Sequence, residues 1–175
     1  FGYMVGDNVR DKDAVAAILL ICEIAALAKA SGSSIFEELI NLFIDFGFYK
    51  EHLISITKKG IEGANEIKQM MIDLRENPLK EIANQRVVCI EDYQTSKGKD
   101  FMNGDEFEIS IPKSNVLIYY LEDGSKICAR PSGTEPKIKF YISVNSPLHY
   151  RTEYQNVEKL LDDKIAKIIA EMNLN

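Results

Sequence analysis

The sequence predicts an α+β protein in which helices cover one face of an antiparallel sheet, preceded by a smaller helical unit. Three patterns carry that reading. The first fifty residues are dominated by helix-period apolar runs, residues 86 to 144 contain runs that alternate every second residue, and residues 153 to 172 form a closing amphipathic stretch. A boundary near residue 56 divides the chain into residues 1–55 and 56–175.

At 175 residues, 46% hydrophobic and 27% charged, the chain is long enough to bury a substantial core and is not disordered in composition. Its net charge of −6 argues against a nucleic-acid surface, which needs clustered Lys and Arg to displace counterions. A small anion needs only a local cationic patch. Cys22, Cys89 and Cys128 include no CxxC pair and have no histidine at zinc-ligand spacing, so they read as small buried hydrophobes in a reducing cytosol. The apolar run 14–28 contains Glu23 and falls short of the ~20 residues that a bilayer requires. No metal site is expected in this chain.

The chain opens abruptly at Phe1-Gly2-Tyr3, as though cut from something longer, and runs to Asp13 through a loop bearing Gly6, Asp7, Asn8, Arg10 and Asp11. Asp11 and Asp13 suit the positive end of the helix that follows. That helix, 13–30, has so few polar residues that it should be buried on most sides, and Ser31-Gly32 ends it. Ser34 and Glu37 make a capping box for a second helix, with Ile35, Leu39, Ile40, Phe43 and Ile44 on its apolar face up to Gly47. Residues 52–58 suggest a short strand leading out of this unit. A third helix over 60–75 turns Ile61, Ala64, Ile67, Met71 and Leu74 inward and stops at Asn77-Pro78.

Residues 86–93 predict a strand, 94–104 a polar surface loop, and 115–122 another strand. Asp123-Gly124 is a type I′ hairpin signal. In the returning strand, 125–130, Ile127 and Ala129 face the core while Lys126, Cys128 and Arg130 take the other side. Ile138, Phe140, Ile142 and Val144 then alternate with Lys137, Lys139, Tyr141 and Ser143. The final helix points Val157, Leu160, Leu161, Ile165, Ile168 and Ile169 inward.

Between the last two strands lies Arg130-Pro131-Ser132-Gly133-Thr134-Glu135-Pro136. Pro131 and Pro136 restrain the turn, Gly133 allows close approach or a positive φ, and Ser132 and Thr134 add hydroxyl donors. Arg130 offers a planar fork for two anion oxygens, and Lys137 or Lys139 a further point charge. Composition alone leaves open that this is only a polar turn. No Ser-His-Asp arrangement makes Ser132 a nucleophile, because His52 and His149 are the only histidines and neither has an evident role.

The stretch from Arg130 to Tyr141 closely resembles the phosphate-binding loop of the α-D-phosphohexomutases, the phosphoglucomutase and phosphomannomutase superfamily. The opening residues 1–14 resemble the segment after that family's sugar-recognition loop, and Leu74-Arg75-Glu76-Asn77-Pro78 and Glu91-Asp92-Tyr93 fit its phosphoglucomutase-like branch. The resemblance implies that residues 1–55 are the helical remnant of an α/β third domain, and that 56–175 are a fourth domain with a TATA-box-binding-protein-like fold. That likeness of fold implies no nucleic-acid binding.

The family interconverts hexose 1-phosphates and 6-phosphates through a bisphosphate intermediate, using a phosphoserine and Mg2+. The resemblance therefore implies that Arg130, Ser132, Gly133 and Thr134, with Lys139 as first choice and Lys137 as second, bind the phosphate that is not being transferred. It also implies that the phosphoserine, the Mg2+ ligands and the sugar loop belong to the missing N-terminal domains. Asp7, Asp11 and Asp13 do not replace the metal loop. The expectation is a cytoplasmic enzyme's C-terminal part that is inactive alone, acting on a sugar phosphate with its partner domains and touching neither nucleic acid nor membrane. The alternative is a freestanding phosphate- or phospholigand-binding module without catalysis.

Overall fold

The computed structural model describes residues 4 to 6 and 9 to 174. Phe1, Gly2, Tyr3, Asp7 and Asn8, read above as part of the opening loop, lie outside the described residues. The chain forms two compact units, one of residues 1–47 and 148–154, the other of residues 48–147 and 155–175.

The first unit is a helical hairpin. Helix α1, Ala14–Ala30, is capped by the Asp13 carboxylate, which accepts from the Val15 and Ala16 amides at 3.1 Å each. Helix α2, Ile35–Phe46, is capped by Ser34, whose hydroxyl accepts from the Glu37 amide at 3.2 Å, and ends at Gly47 with φ 94. Arg151, in a single 3-10 turn over Arg151–Glu153, donates to the Asn41 side chain from Nε at 2.9 Å and Nη2 at 2.6 Å. Phe36 meets Tyr154 edge-on with ring centroids 5.3 Å apart.

One expectation fails here. Composition put α1 in a buried setting, yet Ala28 is its only buried residue, and Val15 and Leu19 are 80% and 71% exposed. Cys22 is exposed with them. A helix this rich in apolar residues implies a cover, and nothing in this unit supplies one. No single helix among the described residues is long and apolar enough to cross a membrane.

The second unit is an open antiparallel sheet in the order β1-β8-β7-β6-β3-β4-β5, with the two-residue β2 (Glu81–Ile82) pairing β3 off that path. The strands are β1 Phe48–Thr57, β3 Gln85–Asp92, β4 Lys97–Asp100, β5 Glu106–Glu108, β6 Leu117–Leu121, β7 Lys126–Pro131 and β8 Lys137–Ser146. Helices α3, Gly60–Glu76, and α4, Tyr154–Glu171, lie on one face of it. Ile127, Ile138, Phe140, Ile142 and Val144 are fully buried there, with Ile67 and Met71 of α3 and Leu161, Ile165 and Ile168 of α4. Tyr119 of β6 fixes α3 by donating its hydroxyl to the Leu74 carbonyl, and burial pushes that phenol up to about 12.

Several details depart from the sequence reading. The strand expected over 52–58 is ten residues long and pairs with β8 along its whole length, so residues 48–55 are committed to the sheet. The polar segment 94–104 is not all loop, because β4 forms within it. Gly98 is buried there, and a Cβ on it would meet the Phe107 ring of β5 at 2.2 Å. Its polar composition hides a pairing that depends on a missing side chain. Ile61 and Leu160 are exposed, at the outer margins of their helices.

The hairpin turns are exchanged. Positive φ at both Ala83 and Asn84, 52 and 61, gives the type I′ pattern between β2 and β3. At Asp123-Gly124 only Gly124 is left-handed. The Gly124 amide donates to the Leu121 carbonyl at 2.9 Å and the Leu121 amide to the Ser125 carbonyl at 2.8 Å, which is a turn closed by a glycine bulge.

This turn is anchored from α4. Lys164 donates to the Asp123 carboxylate and, at 2.6 Å, to the hydroxyl of the fully buried Ser125. Burial alone would raise the Asp123 carboxyl, but hydrogen bonds from Lys164 and the Ser125 amide and the Lys164 charge outweigh it and hold the carboxyl below its ordinary value. A depressed folded value stabilises the fold above the unfolded value of 3.8, and the contribution is lost as pH falls through the folded value. Asp123→Asn should cost about 1 to 3 kcal/mol in urea unfolding at pH 7, because it leaves a nearly buried ammonium short of its partner. The deficit relative to the unmodified chain should shrink below pH 3.8, and a deficit that persists undiminished there would contradict the pairing.

Candidate functional site

The register of β7 on β8 builds the site. Arg130 stands opposite Lys139, Cys128 opposite Tyr141 and Pro131 opposite Ile138. Because Ile138 and Phe140 are driven into the core, Lys137, Lys139 and Tyr141 emerge on the opposite face beside Arg130. The five residues from Ser132 to Pro136 join the strands. All six residues singled out in the sequence, Arg130, Ser132, Gly133, Thr134, Lys137 and Lys139, line one cavity of about 280 Å³.

The loop is tied chiefly at its ends. The Ser132 amide donates to the Lys137 carbonyl at 2.7 Å, the Lys137 amide to the Glu135 carbonyl at 2.8 Å, and the Lys58 amide to the Pro136 carbonyl at 2.9 Å. A longer contact, 3.4 Å, runs from the Thr134 amide to the Ser132 hydroxyl. The Gly133 and Glu135 amides have no internal acceptor among the described residues, which leaves two backbone donors in the turn. Gly133 is not in the left-handed region, so positive φ is not its role. A Cβ there would enter open space, so what glycine supplies is close access to the loop backbone.

Among the described residues Arg130, Lys137 and Lys139 form no ion pair, although the chain is acidic overall and forms such pairs elsewhere. The Arg130 charge extends to the half-buried Cys128, whose thiol burial pushes up while Arg130 and then Lys126 pull it back. One guanidinium, two ammonium groups, two hydroxyls and two free amides make a donor set for an oxyanion. The same set repels a divalent cation, and Glu135 is the only carboxylate lining the cavity. The described residues contain no cluster of three or more His, Cys, Asp or Glu side chains able to hold a metal. The site does not fit Mg2+.

Two lining residues, Glu135 and Tyr141, were not among the candidate ligands named from the sequence, although Tyr141 was placed on the face of Lys137 and Lys139. Glu135 lies inside the loop itself. The period of two that placed Lys139 outward also places Tyr141 there, and that signal could have found it.

Comparison with known proteins follows the same line. No family model matches the chain. It is 39% identical over 147 residues to the phosphoglucomutase of Staphylococcus aureus strain MRSA252, and 37% identical over 145 residues to that of Staphylococcus haemolyticus. These alignments take in 84% and 83% of this chain but 26% of each relative, so the chain spans about a quarter of their length. Among solved structures it resembles the open form of the exocytosis-sensitive phosphoprotein pp63/parafusin, a phosphoglucomutase from Paramecium. That likeness has a TM-score of 0.50 and 17% identity, over 94% of this chain and 28% of the other, and concerns the fold alone.

The loop exit depends on a contact outside the loop. Lys58, which holds the Pro136 carbonyl, lies under the first turn of α3, where a Cβ added to Gly63 would fall 2.5 Å from the Lys58 Cβ and 3.0 Å from its carbonyl carbon. Backbone cannot yield as a side-chain tip does. Gly63→Ala should therefore destabilise by about 1 to 3 kcal/mol and shift the backbone amide resonances of residues 132–136. Unchanged loop resonances in that variant would show that Lys58 does not set the loop.

Proposed function

The chain is a relative of the phosphoglucomutases, in the α-D-phosphohexomutase superfamily, and we propose that it is the C-terminal part of such an enzyme and binds the substrate phosphate that is not being transferred. The observation that carries this is the unpaired cationic cavity at the β7–β8 turn, assembled from Arg130, Ser132, Gly133, Thr134, Lys137 and Lys139. Arg130 takes two phosphate oxygens, the turn amides and hydroxyls meet the others, and Lys139, directly across from Arg130, closes the charge balance. Lys137, at the loop exit, is the second choice of the two lysines.

In this reading the parent interconverts hexose 1-phosphate and 6-phosphate in the cytoplasm through a bisphosphate intermediate. Its phosphoserine and Mg2+ are supplied by the other domains. Holding the distal phosphate leaves the ester to be broken free for those domains, so the cavity contributes binding energy and orientation while the bond making occurs elsewhere. None of its residues is a catalytic residue.

Arg130→Ala should weaken phosphate binding about ten- to a hundredfold, equivalent to roughly 1.5 to 3 kcal/mol for a charge-assisted contact. Its unfolding free energy should barely change, since the side chain is exposed. Phosphate titration followed by NMR reads the first effect and urea unfolding the second, and shifts that saturate at the same phosphate concentration in the variant would remove the loop from the site. A coupled assay of this chain alone should show no conversion of glucose 1-phosphate to glucose 6-phosphate. Measurable turnover would contradict the division of labour between domains.

A further inference from the structure

One lining side chain, Tyr141, is neither charged nor part of the turn. Tyr141 follows Lys139 by two residues on β8, is half-buried, and lines the same space as the anion-binding groups. Three other phenols of this unit are committed, Tyr119 to the Leu74 carbonyl and two to one carboxylate. Tyr93 and Tyr120 both donate to Glu91, at 2.8 and 3.0 Å. The Tyr141 hydroxyl has no hydrogen-bond partner among the described residues.

The cavity is also larger than a phosphate. Its 280 Å³ equals the share of about nine liquid waters at ~30 Å³ each, while a phosphate group has only five heavy atoms. The surplus lies in a definite direction. Ser132, Gly133 and Thr134 close one end, and Lys137, Lys139 and Tyr141 succeed one another away from the turn in steps of roughly 7 Å, two residues of extended chain. An anion drawn to the turn and Arg130 leaves Tyr141 beside whatever the phosphate is attached to.

We propose that Tyr141 reads the organic part of the ligand, its phenol hydroxyl hydrogen-bonding an oxygen of the sugar, so that the cavity prefers a hexose phosphate to orthophosphate. The proposal rests on the phosphate reading of the loop. A polar group placed for a ligand hydroxyl, and left without another partner, favours the ligand that supplies one. Tyr141 is then the specificity residue of a site whose other groups recognise only the anion.

The test is calorimetric titration of the unmodified chain, Tyr141→Phe and Arg130→Ala with glucose 6-phosphate and with inorganic phosphate. Removing the hydroxyl while keeping the ring should weaken glucose 6-phosphate about five- to tenfold, the size of one hydrogen bond, and leave inorganic phosphate within about twofold. The melting temperature of Tyr141→Phe should be unchanged, which a merely structural role would not require. Equal losses for the two ligands, or no loss for either, would overturn the role of Tyr141. Arg130→Ala should weaken both ligands together, and if it weakens neither, the loop reading fails whatever Tyr141 does. An unmodified chain that binds neither ligand at millimolar concentration overturns both.

Discussion

The pairing of β7 with β8 is the constraint on which the rest of the second unit depends. Ile138, Phe140, Ile142 and Val144 are each fully buried, and burying such side chains favours this register by about 1.5 to 3 kcal/mol apiece. Because side chains alternate with a period of two, a slip of one residue would expose that whole set and bury Lys137 and Lys139 instead. The hydrophobic core thus fixes the position of the charges. Arg130 and Lys139 face each other because the residues beside them have nowhere else to go.

That arrangement works against itself electrostatically. Three cations that pair with no carboxylate repel one another, and in a chain with net charge −6 only one carboxylate, Glu135, lines their cavity while the other acidic groups are placed elsewhere. Solvent exposure keeps the cost tolerable, since water and salt screen charges at this separation. An anion entering the turn relieves the repulsion and gains the attraction together. The two free amides of the loop add to this, because their donors have no internal acceptor to give up. The mutual repulsion of the cations is thus a source of affinity for an anion.

How much could be read from residues alone follows from the same physics. The strands around the site were legible because burial imposes alternation on β7 and on β8 as far as Ile142, beyond which Ser143 is buried too, against the expectation that it faces outward. The turn between them was legible as a turn because Ser, Gly and Thr stand between two prolines. The helix caps at Asp13 and Ser34 were legible because they are local. What escaped depends on distant partners. β4 looks like loop until Phe107 is seen lying on Gly98, β1 looks short until β8 runs beside it, and the Asp123-Gly124 turn is held by Lys164 reaching over from α4. The exposure of α1 is the limiting case, since its composition implies a cover that its own unit does not contain.

The loop itself is better described as suspended than as packed. Behind it, residues 131–136 border a second cavity, of about 320 Å³, lined by Ala64, Ile67, Lys68 and Met71 of α3. A turn with cavities before and behind has little side-chain packing to hold it, so its geometry rests on the strand ends and on the Lys58 amide. This gives Pro131 and Pro136 a purpose beyond ending strands. By limiting the conformations of the free turn, they reduce the entropy lost when a ligand orders it. Fixed ends with free amides between them hold the donor groups of the turn in place before any anion arrives.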